Sequence, residues 1–498
     1  MKAFKLLAFT ALLGLSGPVL TSCSEDVLDI TPAANNSSDD FYKDEGQLNQ
    51  AVLSIYNAAL SFPQSSHWNI SEIRSDNVLI GNLNVQRDYS DISNFTAVSQ
   101  TGQLQATWTD LYELVFRSNM LLEKIQPFTF ARTSQFQGEA RFLRALAYFD
   151  LVRYWGPVPI ADKVLSIEES KKVPRSSVAD VYSFIVADLQ YAANSLPETY
   201  AAADKGRATK WAAKALLGKV YLTMYGYPLK QSSALPLAKQ QLSEVLAKEG
   251  SAGALATSYA DLFKVANDNK FSVFEVQYIS GGTGLGSTVP WDQGNNFPIT
   301  YAPFQPSQID ALPGPDLFGA GWPKADKRKA ATVDSITKVG TATLRAQFIK
   351  FLEKGTKDPV NNRDYPNNFP IIRFEDVMLM QAEVLNEEAG AGAPVPSAAL
   401  ALVNRIRTRS GVPVLASMTK ENFRLALERE RRWEFAGEGL RWFDLVRTER
   451  ALPVMNKFLK DNAVGTGRVL DEHDLLFPIP QQELRINPGF WEQNPGYN

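Results

Sequence analysis

Apolar residues recur at intervals of three and four along most of the chain, which is the spacing of an amphipathic α-helix. The clearest stretch is QGEARFLRALAYFDLVRYWGPVPI, in which Phe142, Leu146 and Phe149 follow this spacing. Gly156 and Pro157 predict the end of this helix, because proline cannot continue the hydrogen-bonding pattern. We therefore expect Phe149 to lie in the core.

Similar patterns predict further helices over much of the remaining chain. They cover residues 48–60, 105–125, 178–196, 208–225, 235–247, 374–388, 398–409 and 421–435. Several of the connections are short, which favours antiparallel helix pairs. The sequence holds no clean helical repeat, so a solenoid-like scaffold is predicted from the helix pairs and not from sequence repetition.

The pattern changes between residues 271 and 370. The segment FSVFEVQYI, residues 271–279, predicts a strand. It leads into a long stretch crowded with Gly, Pro and aromatic residues. Such long loops are uncommon in compact chains unless they are functional or disordered, and the aromatic content argues against disorder. Residues 281–323 are therefore predicted to form a loop-rich ligand-binding insert.

The amino-acid composition argues against several kinds of binding site. The 498 residues include 51 Lys and Arg against 54 Asp and Glu, a formal net charge of −3, without a basic stripe. Nucleic acid is therefore not an expected partner. Histidine occurs only as His67 and His473 and cysteine only as Cys23, so a zinc site of nitrogen and sulfur ligands is not expected either. The glycine-rich stretch at 281–287 fits neither a dinucleotide-binding nor a phosphate-loop spacing.

The first 22 residues have the pattern of a secretory signal. Two lysines precede the apolar run LLAFTALLGLSGPVL, and small residues follow up to Cys23. The stretch LTSC resembles a bacterial lipobox, in which the cysteine is lipidated. An ordinary signal peptide followed by an incidental cysteine is the alternative. Residues 1–22 are thus predicted to be a lipoprotein signal peptide and residues 23–44 a lipid-anchored tether, with acyl chains on Cys23 as a stable membrane anchor.

Acidic residues follow the predicted lipid attachment point directly, as Glu25 and Asp26. This arrangement resembles the surface-export signal of some Gram-negative outer-membrane lipoproteins. A solvated linker is the simpler alternative. We expect a protein in the outer membrane that faces the cell exterior.

Aromatic residues in the loop-like stretches are candidates for sugar binding. A flat ring with a polar edge suits the C–H face of a sugar, and Arg, Asp and Asn suit its hydroxyls. The candidates in the insert are Trp291, Tyr301 and Trp322. Those in the loop-like stretch SSHWNISEIRSDN are Trp68, Arg74, Asp76 and Asn77. The alternative for each ring is that it fills the underside of its loop.

The segment ERERRWEFAGEGLRWFDLVR, residues 428–447, is rich in carboxylates. Glu428 and Arg432 lie four residues apart, and Asp444 and Arg447 lie three apart, which is the spacing of ion pairs on helices. We predict a salt-bridged packing network here. A glycosidase-like pair cannot be recognised from the sequence, because the separation of two carboxylates that defines it is not visible there.

A series of stretches in one order along the chain carries a family resemblance. They are LTSC with LDITP after it, SDDFYKDEGQLNQAV, SEIRSDNV, WTDLYELVFRSNMLLEKI, GEARFLRALAYFDLVRYWGPVPI, GRATKWAAKALLGKVYL, IIRFEDVMLMQAEVLNE, ERERRWEFAGEGLRWFDLVR and LFPIPQQELRINPGFWEQNPGY. Together they resemble the SusD/RagB family of outer-membrane nutrient-binding lipoproteins. The resemblance covers essentially the whole chain after Cys23.

The resemblance implies a mainly α fold. Tetratricopeptide-like helix pairs would form a superhelical scaffold, with an irregular, loop-rich second subdomain. It divides the chain into an N-terminal SusD-like helical region, 45–265, and a C-terminal SusD/RagB region, 266–498. No cofactor is implied, and a structural calcium ion is left open.

The resemblance also implies a function. The protein would be no enzyme but a surface-exposed subunit that captures an oligosaccharide or polysaccharide and acts as a lid on a SusC-like TonB-dependent β-barrel importer. Family sites use aromatic platforms with nearby Arg, Asp and Asn, which would correspond to the candidates above. The alternatives are a peptide-binding importer subunit and a surface glycoside hydrolase.

Overall fold

The computed structural model describes residues 41–81, 87–294, 309–319, 321–334, 338–339, 342–343, 346–353 and 359–497. The chain divides into a unit of residues 1–43, of which 41–43 are described, and one compact unit of residues 44–498. Cys23, the signal peptide and most of the tether lie outside the described residues, so these assignments stay predictions. The boundary at 265/266 also stays a prediction, since it falls inside the compact unit.

The described part of the chain is mainly helical. Its α-helices are α1 Glu45–Ala58, α2 Arg87–Ser93, α3 Gly102–Lys124, α4 Thr133–Trp155, α5 Ile167–Ser170, α6 Val178–Ser195, α7 Lys210–Tyr225, α8 Ala234–Leu246, α9 Val289–Gln293, α10 Pro315–Phe318, α11 Lys327–Thr332, α12 Phe374–Glu388, α13 Ser397–Ser410, α14 Lys420–Phe435, α15 Arg441–Arg447, α16 Ala451–Asp461 and α17 Gln481–Ile486. A π-helix covers Pro63–Glu72, and short 3₁₀ helices cover Ala59–Ser61, Ala202–Asp204, Tyr259–Phe263, Val265–Asn267, Gly465–Gly467 and Glu472–Leu475.

The strands are short and pair in twos. They are β1 Val78–Ile80, β2 Val158–Pro159, β3 Arg175–Ser176, β4 Ser272–Val276, β5 Ala311–Pro313, β6 Val333–Asp334, β7 Lys338–Val339, β8 Ala342–Thr343, β9 Gln347–Phe348 and β10 Phe369–Arg373. All pairs are antiparallel, namely β1–β5, β2–β3, β4–β10, β6–β9 and β7–β8. The strand predicted at 271–279 is confirmed as β4, whose Val276 lies opposite Phe369 of β10.

Successive helices pack in pairs from α3 to α8. The packed pairs are α3–α4, α4–α6, α6–α7 and α7–α8, and α8 then packs against α12. The predicted helices agree with the observed bounds to within a few residues, because their apolar spacing is a local signal. Ser177, Thr209 and Thr419 start α6, α7 and α14 by accepting a hydrogen bond from a backbone N–H of the first turn. The prediction of a mainly α fold of helix pairs is confirmed.

Helix α4 lies at the centre of the scaffold and is buried on nearly all sides, with Phe142, Leu146 and Phe149 in the core. Its buried charges have partners, as burial of an ion requires. Arg144 donates to both carboxylate oxygens of Asp188, at 2.8 Å each. No helix among the described residues is long and apolar enough to cross a membrane.

We expect Phe149→Ala to lower the free energy of unfolding by about 3 to 5 kcal/mol, because it leaves a cavity in the core. Phe149 is 1% exposed. The matched control is Phe116→Ala on α3, whose ring is 47% exposed, and this change should cost about 0.5 kcal/mol or less. Urea unfolding followed by circular dichroism measures both. Equal losses in the two variants would contradict the central position of α4.

Candidate functional site

The stretch around Trp68 is helical and buried, although the sequence pattern predicts a loop there. Trp68 is 1% exposed, and its ring packs edge-to-face on Phe348 with centroids 5.4 Å apart. The helix lies against the turn after α14: a Cβ at Gly439, whose φ is +76°, would lie 2.5 Å from the carbonyl oxygen of His67. A buried ring cannot stack on a ligand, so the prediction of Trp68 as a platform is wrong.

Arg74 is also buried, and its side chain contacts other residues of the protein interior. Its guanidinium lies 4.2 Å from the ring centroid of Phe95 and 4.1 Å from that of Phe477. Its Nη2 donates to the backbone oxygen of Asp474 at 2.6 Å. With an exposure of 1%, Arg74 offers no hydrogen bond to a ligand, and its assignment to the binding site is wrong.

Asp76 and Asn77 join this stretch to the arginine-rich C-terminal segment. Asp76 accepts from Arg441 at 2.8 and 3.0 Å, and the amide oxygen of Asn77 accepts from Arg432 at 2.9 Å. Burial alone would raise the pKa of Asp76, but the guanidinium groups of Arg432 and Arg441 outweigh burial and lower the pKa to about 2. Both side chains are buried, so their assignment as ligand contacts is wrong.

Trp322 is the third buried candidate ring. It is 1% exposed, lies parallel to Trp433 with centroids 6.3 Å apart, and donates its indole N–H to Asp326 at 3.0 Å. Because both the face and the polar edge of the indole are used inside the protein, the prediction of Trp322 as a platform is wrong.

The salt-bridged packing network predicted for residues 428–447 is confirmed, but one of its two predicted pairs is wrong. Arg447 donates to Asp444 at 3.0 Å, whereas Glu428 accepts from Arg441 and Arg450 in place of Arg432.

Glu434 accepts from Arg373 at 2.9 Å, from Arg409 at 2.6 Å and from Arg328 at 3.1 Å. Burial alone would raise the pKa of Glu434, but the three guanidinium groups outweigh burial and hold it well below its usual range. The carboxylates of the network are committed to the packing of the fold.

Trp291 is the one predicted platform among the described residues that is not fully buried. It lies on α9 and is half-buried. Its neighbour in sequence, Asp292, is buried and accepts from the amide of Gln64 at 2.5 Å. Burial raises the pKa of Asp292 to about 7, against the opposing effects of the Gln64 hydrogen bond and the charge of Arg363. Tyr301, the remaining candidate, lies outside the described residues.

Two further polar side chains lie near Asp292. The charges of both Asp292 and Arg363 act on the phenol of Tyr89, whose pKa is raised chiefly by burial. Tyr89 is half-buried and donates to Gln103 at 3.3 Å, while Arg363 is exposed. We define the Trp291 surface as Gln64, Tyr89, Trp291, Asp292 and Arg363.

A pair of loops supports this surface. The buried carboxylate of Asp364 accepts from the backbone N–H of Gly281 at 2.9 Å, of Gly282 at 3.1 Å and of Val360 at 3.1 Å. Ser287 and Tyr365 then exchange two backbone hydrogen bonds, of 2.8 and 3.1 Å. The loop that leads to Trp291 and the loop that carries Arg363 are therefore held together.

Comparison with known proteins assigns the chain to a family. A family model described as "Starch-binding associating with outer membrane" matches residues 26–222, and one described as "SusD family" matches residues 327–497. The chain belongs to the SusD/RagB family.

Relatives in this family cover almost all of the chain. SusD-like protein P25 of Formosa agariphila is 26% identical over 96% of this chain and 97% of its own. A laminarin-binding SusD-like protein of known structure is 28% identical, with a TM-score of 0.75 over 92% of this chain and 100% of its own. A structure solved with a xylogluco-oligosaccharide is 26% identical, with a TM-score of 0.77 over 89% of this chain and 98% of its own.

In this SusD-family protein, sequence reasoning missed Gln64, Tyr89 and Arg363. Tyr89 lies in QRDYSDI and Arg363 in NNRDY, and neither stretch is marked by glycine, proline or aromatic clustering. Their proximity to Asp292 arises from segments far apart in sequence, so no local pattern would have grouped them.

One group of side chains in the described part of this SusD-family chain has the spacing of metal ligands, namely Asp471, His473 and Asp474. A guanidinium nitrogen of Arg468 lies 2.6 Å from His473 Nε2 and 2.6 Å from Asp474. Because a cation already lies against these atoms, the group is better suited to an internal ion pair than to a metal.

We expect Glu434→Gln to lower the free energy of unfolding by about 3 to 5 kcal/mol, because it leaves buried guanidinium groups without their counter-charge. The control is Glu421→Gln, an exposed position on the same helix, which should change it by about 0.5 kcal/mol or less. Chemical denaturation of both variants at neutral pH measures the difference. A loss at Glu434 no larger than that at Glu421 would contradict a structural role for the network.

Proposed function

We propose that this protein is a surface-exposed glycan-binding lipoprotein that captures oligosaccharide and acts as a lid on a SusC-like TonB-dependent importer. The family supports binding of a glycan, since one relative is a laminarin-binding protein and another was solved with a xylogluco-oligosaccharide. The observation that carries the proposal is that Trp291 is half-buried and directly precedes Asp292, whose carboxylate accepts from the amide of Gln64.

The Trp291 surface has the chemistry that a sugar requires. A half-buried indole suits the C–H groups of a sugar. Arg363 is exposed and carries several N–H donors, and Gln64 adds an amide that is oriented by Asp292. Tyr301 remains part of the proposed site only because of its position in the sequence, ten residues after Trp291.

The proposal includes the cellular location of the protein and its partner. Acyl chains on Cys23 would hold the protein on the outer membrane, and Glu25 and Asp26 would direct it to the cell exterior. One matching family model is described as associating with the outer membrane, which supports this location. The β-barrel partner follows from the family resemblance.

We expect Trp291→Ala to weaken glycan binding by about 1 kcal/mol or more, roughly fivefold in Kd, on the scale of aromatic contacts. The measurement is affinity electrophoresis and calorimetry of the chain from residue 24, with laminarin, xyloglucan and a broad panel of oligosaccharides. Phe116→Ala, at an exposed ring of α3, is the matched control and should bind like the wild type.

Wild-type affinity in Trp291→Ala would remove this surface from the site. Binding of peptides without binding of any glycan would favour the peptide-importer alternative. Release of reducing ends from a polysaccharide, abolished by one Asp or Glu substitution, would favour the hydrolase.

We expect Cys23→Ala to release the protein from the outer membrane, because it removes the acylation site, while glycan binding by the purified chain stays unchanged. Fractionation of cells that lack the barrel partner, with protease treatment of intact cells, measures anchoring and orientation. If the variant remained in the membrane fraction of such cells, Cys23 would not be the anchor.

A further inference from the structure

A second cleft opens where the end of α7 meets α12, α14 and α15. Its volume is 690 Å³, within the range of roughly 300 to 1,000 Å³ that is typical of small-molecule sites. None of the residues of the Trp291 surface lines it. It is therefore a separate feature of the molecule.

The floor of the cleft consists of partly buried ion pairs. Arg447 donates to Asp444 at 3.0 Å and to Glu383 at 2.8 Å, and Arg431 donates to the other oxygen of Asp444 at 2.7 Å. Because each guanidinium is held by two carboxylates or more, these planar groups have fixed orientations before any ligand arrives.

The side wall repeats this pattern nearer to solvent. Glu387 accepts from Arg424 at 2.6 and 2.5 Å and from the hydroxyl of Tyr225 at 3.2 Å. Since these carboxylates and guanidinium groups already neutralise one another, a charged ligand would have to displace a partner. A neutral ligand can instead bond to the lone pairs and N–H groups that remain.

One buried acceptor in the cleft has no partner. Asn386 is 1% exposed and lines the cleft. Its amide nitrogen donates to the backbone oxygen of Lys420 at 3.2 Å, whereas its Oδ1 is buried without a hydrogen-bond partner among the described residues. Such an atom is unfavourable. Because this oxygen is itself buried, a ligand hydroxyl reaches it only after the Asn386 side chain has rotated towards the cleft.

The rim adds an apolar strip. Leu222 and Leu427 line the cleft from the interior, Leu425 is 51% exposed, and the ring of Tyr225 is half-buried.

Two further ion pairs line the cleft, Lys230 with Glu449 and Arg450 with Glu428. A neutral ligand with several hydroxyl groups and apolar C–H faces fits this lining of paired charges and apolar side chains. Neutral oligosaccharides combine these properties.

We propose that the cleft between α7, α12, α14 and α15 is a second oligosaccharide-binding site, independent of the Trp291 surface. Two sites on one chain would let a long glycan engage both, which raises the apparent affinity without any new contact.

The test blocks the cleft without touching its ion pairs. Leu425→Trp places a larger side chain on the exposed rim, and Leu425→Phe is a milder form of the same change. Leu237→Trp, at a 42% exposed leucine of α8 that does not line the cleft, is the matched control. The chain from residue 24 is titrated with neutral mono-, di- and trisaccharides of glucose, galactose, mannose, xylose and arabinose, and binding is followed by saturation-transfer NMR.

We expect at least one sugar whose Kd rises fivefold or more in Leu425→Trp, and less in Leu425→Phe, but stays unchanged in Leu237→Trp and in Trp291→Ala. If no neutral sugar distinguishes Leu425→Trp from Leu237→Trp, or if only peptides or charged saccharides do, the cleft is not an oligosaccharide site. Loss of all sugar binding in Trp291→Ala alone would support the function proposed above and overturn the second site. Loss of all sugar binding in Leu425→Trp alone would support the cleft as a site and remove the Trp291 surface, while glycan binding by the protein would stand.

Discussion

The fold depends on buried arginines that link distant segments through carboxylates. Arg373 on β10 donates to Glu434 at the end of α14 and to Glu438 in the turn after it, both at 2.9 Å. Glu72 accepts from the backbone N–H groups of Gly437 and Gly439 at 2.6 and 2.7 Å. Buried ions are unfavourable unless each has close partners, so the segments that supply them must meet in one arrangement.

The need to pair buried ions explains why the predicted ligand contacts between Trp68 and Asn77 do not form a binding site. The stretch from Trp68 to Asn77 carries the aromatic and polar residues that a sugar site needs. These side chains are buried, however, and polar groups among them form hydrogen bonds with arginines of the C-terminal segment. Asp76 and Asn77 bond to Arg441 and Arg432, and Trp68 and Arg74 are buried. A ligand must therefore be held by elements other than this stretch.

The loops around Trp291 meet that condition. They are joined to each other by Asp364 and by the backbone bridge between Ser287 and Tyr365, and they contact the helical scaffold through the hydrogen bond from Gln64 to Asp292. Binding residues on loops over a rigid scaffold are a common arrangement. The second cleft differs, because its walls are scaffold helices.

The sequence by itself determined the helices, the strand at β4, the family and the structural nature of residues 428–447. Apolar spacing is a local property, and the interleaving of charged and aromatic residues in that segment is visible in a short window, although most partners of its charges lie elsewhere in the chain. Only the tertiary structure decided which aromatic rings are accessible. A tryptophan beside Arg, Asp and Asn has the same local pattern whether those groups meet a ligand or meet other segments of the chain. For Trp68 and its neighbours the partners lie far away in sequence, as between Glu72 and Gly437, which are 365 residues apart, and their burial follows from the whole fold.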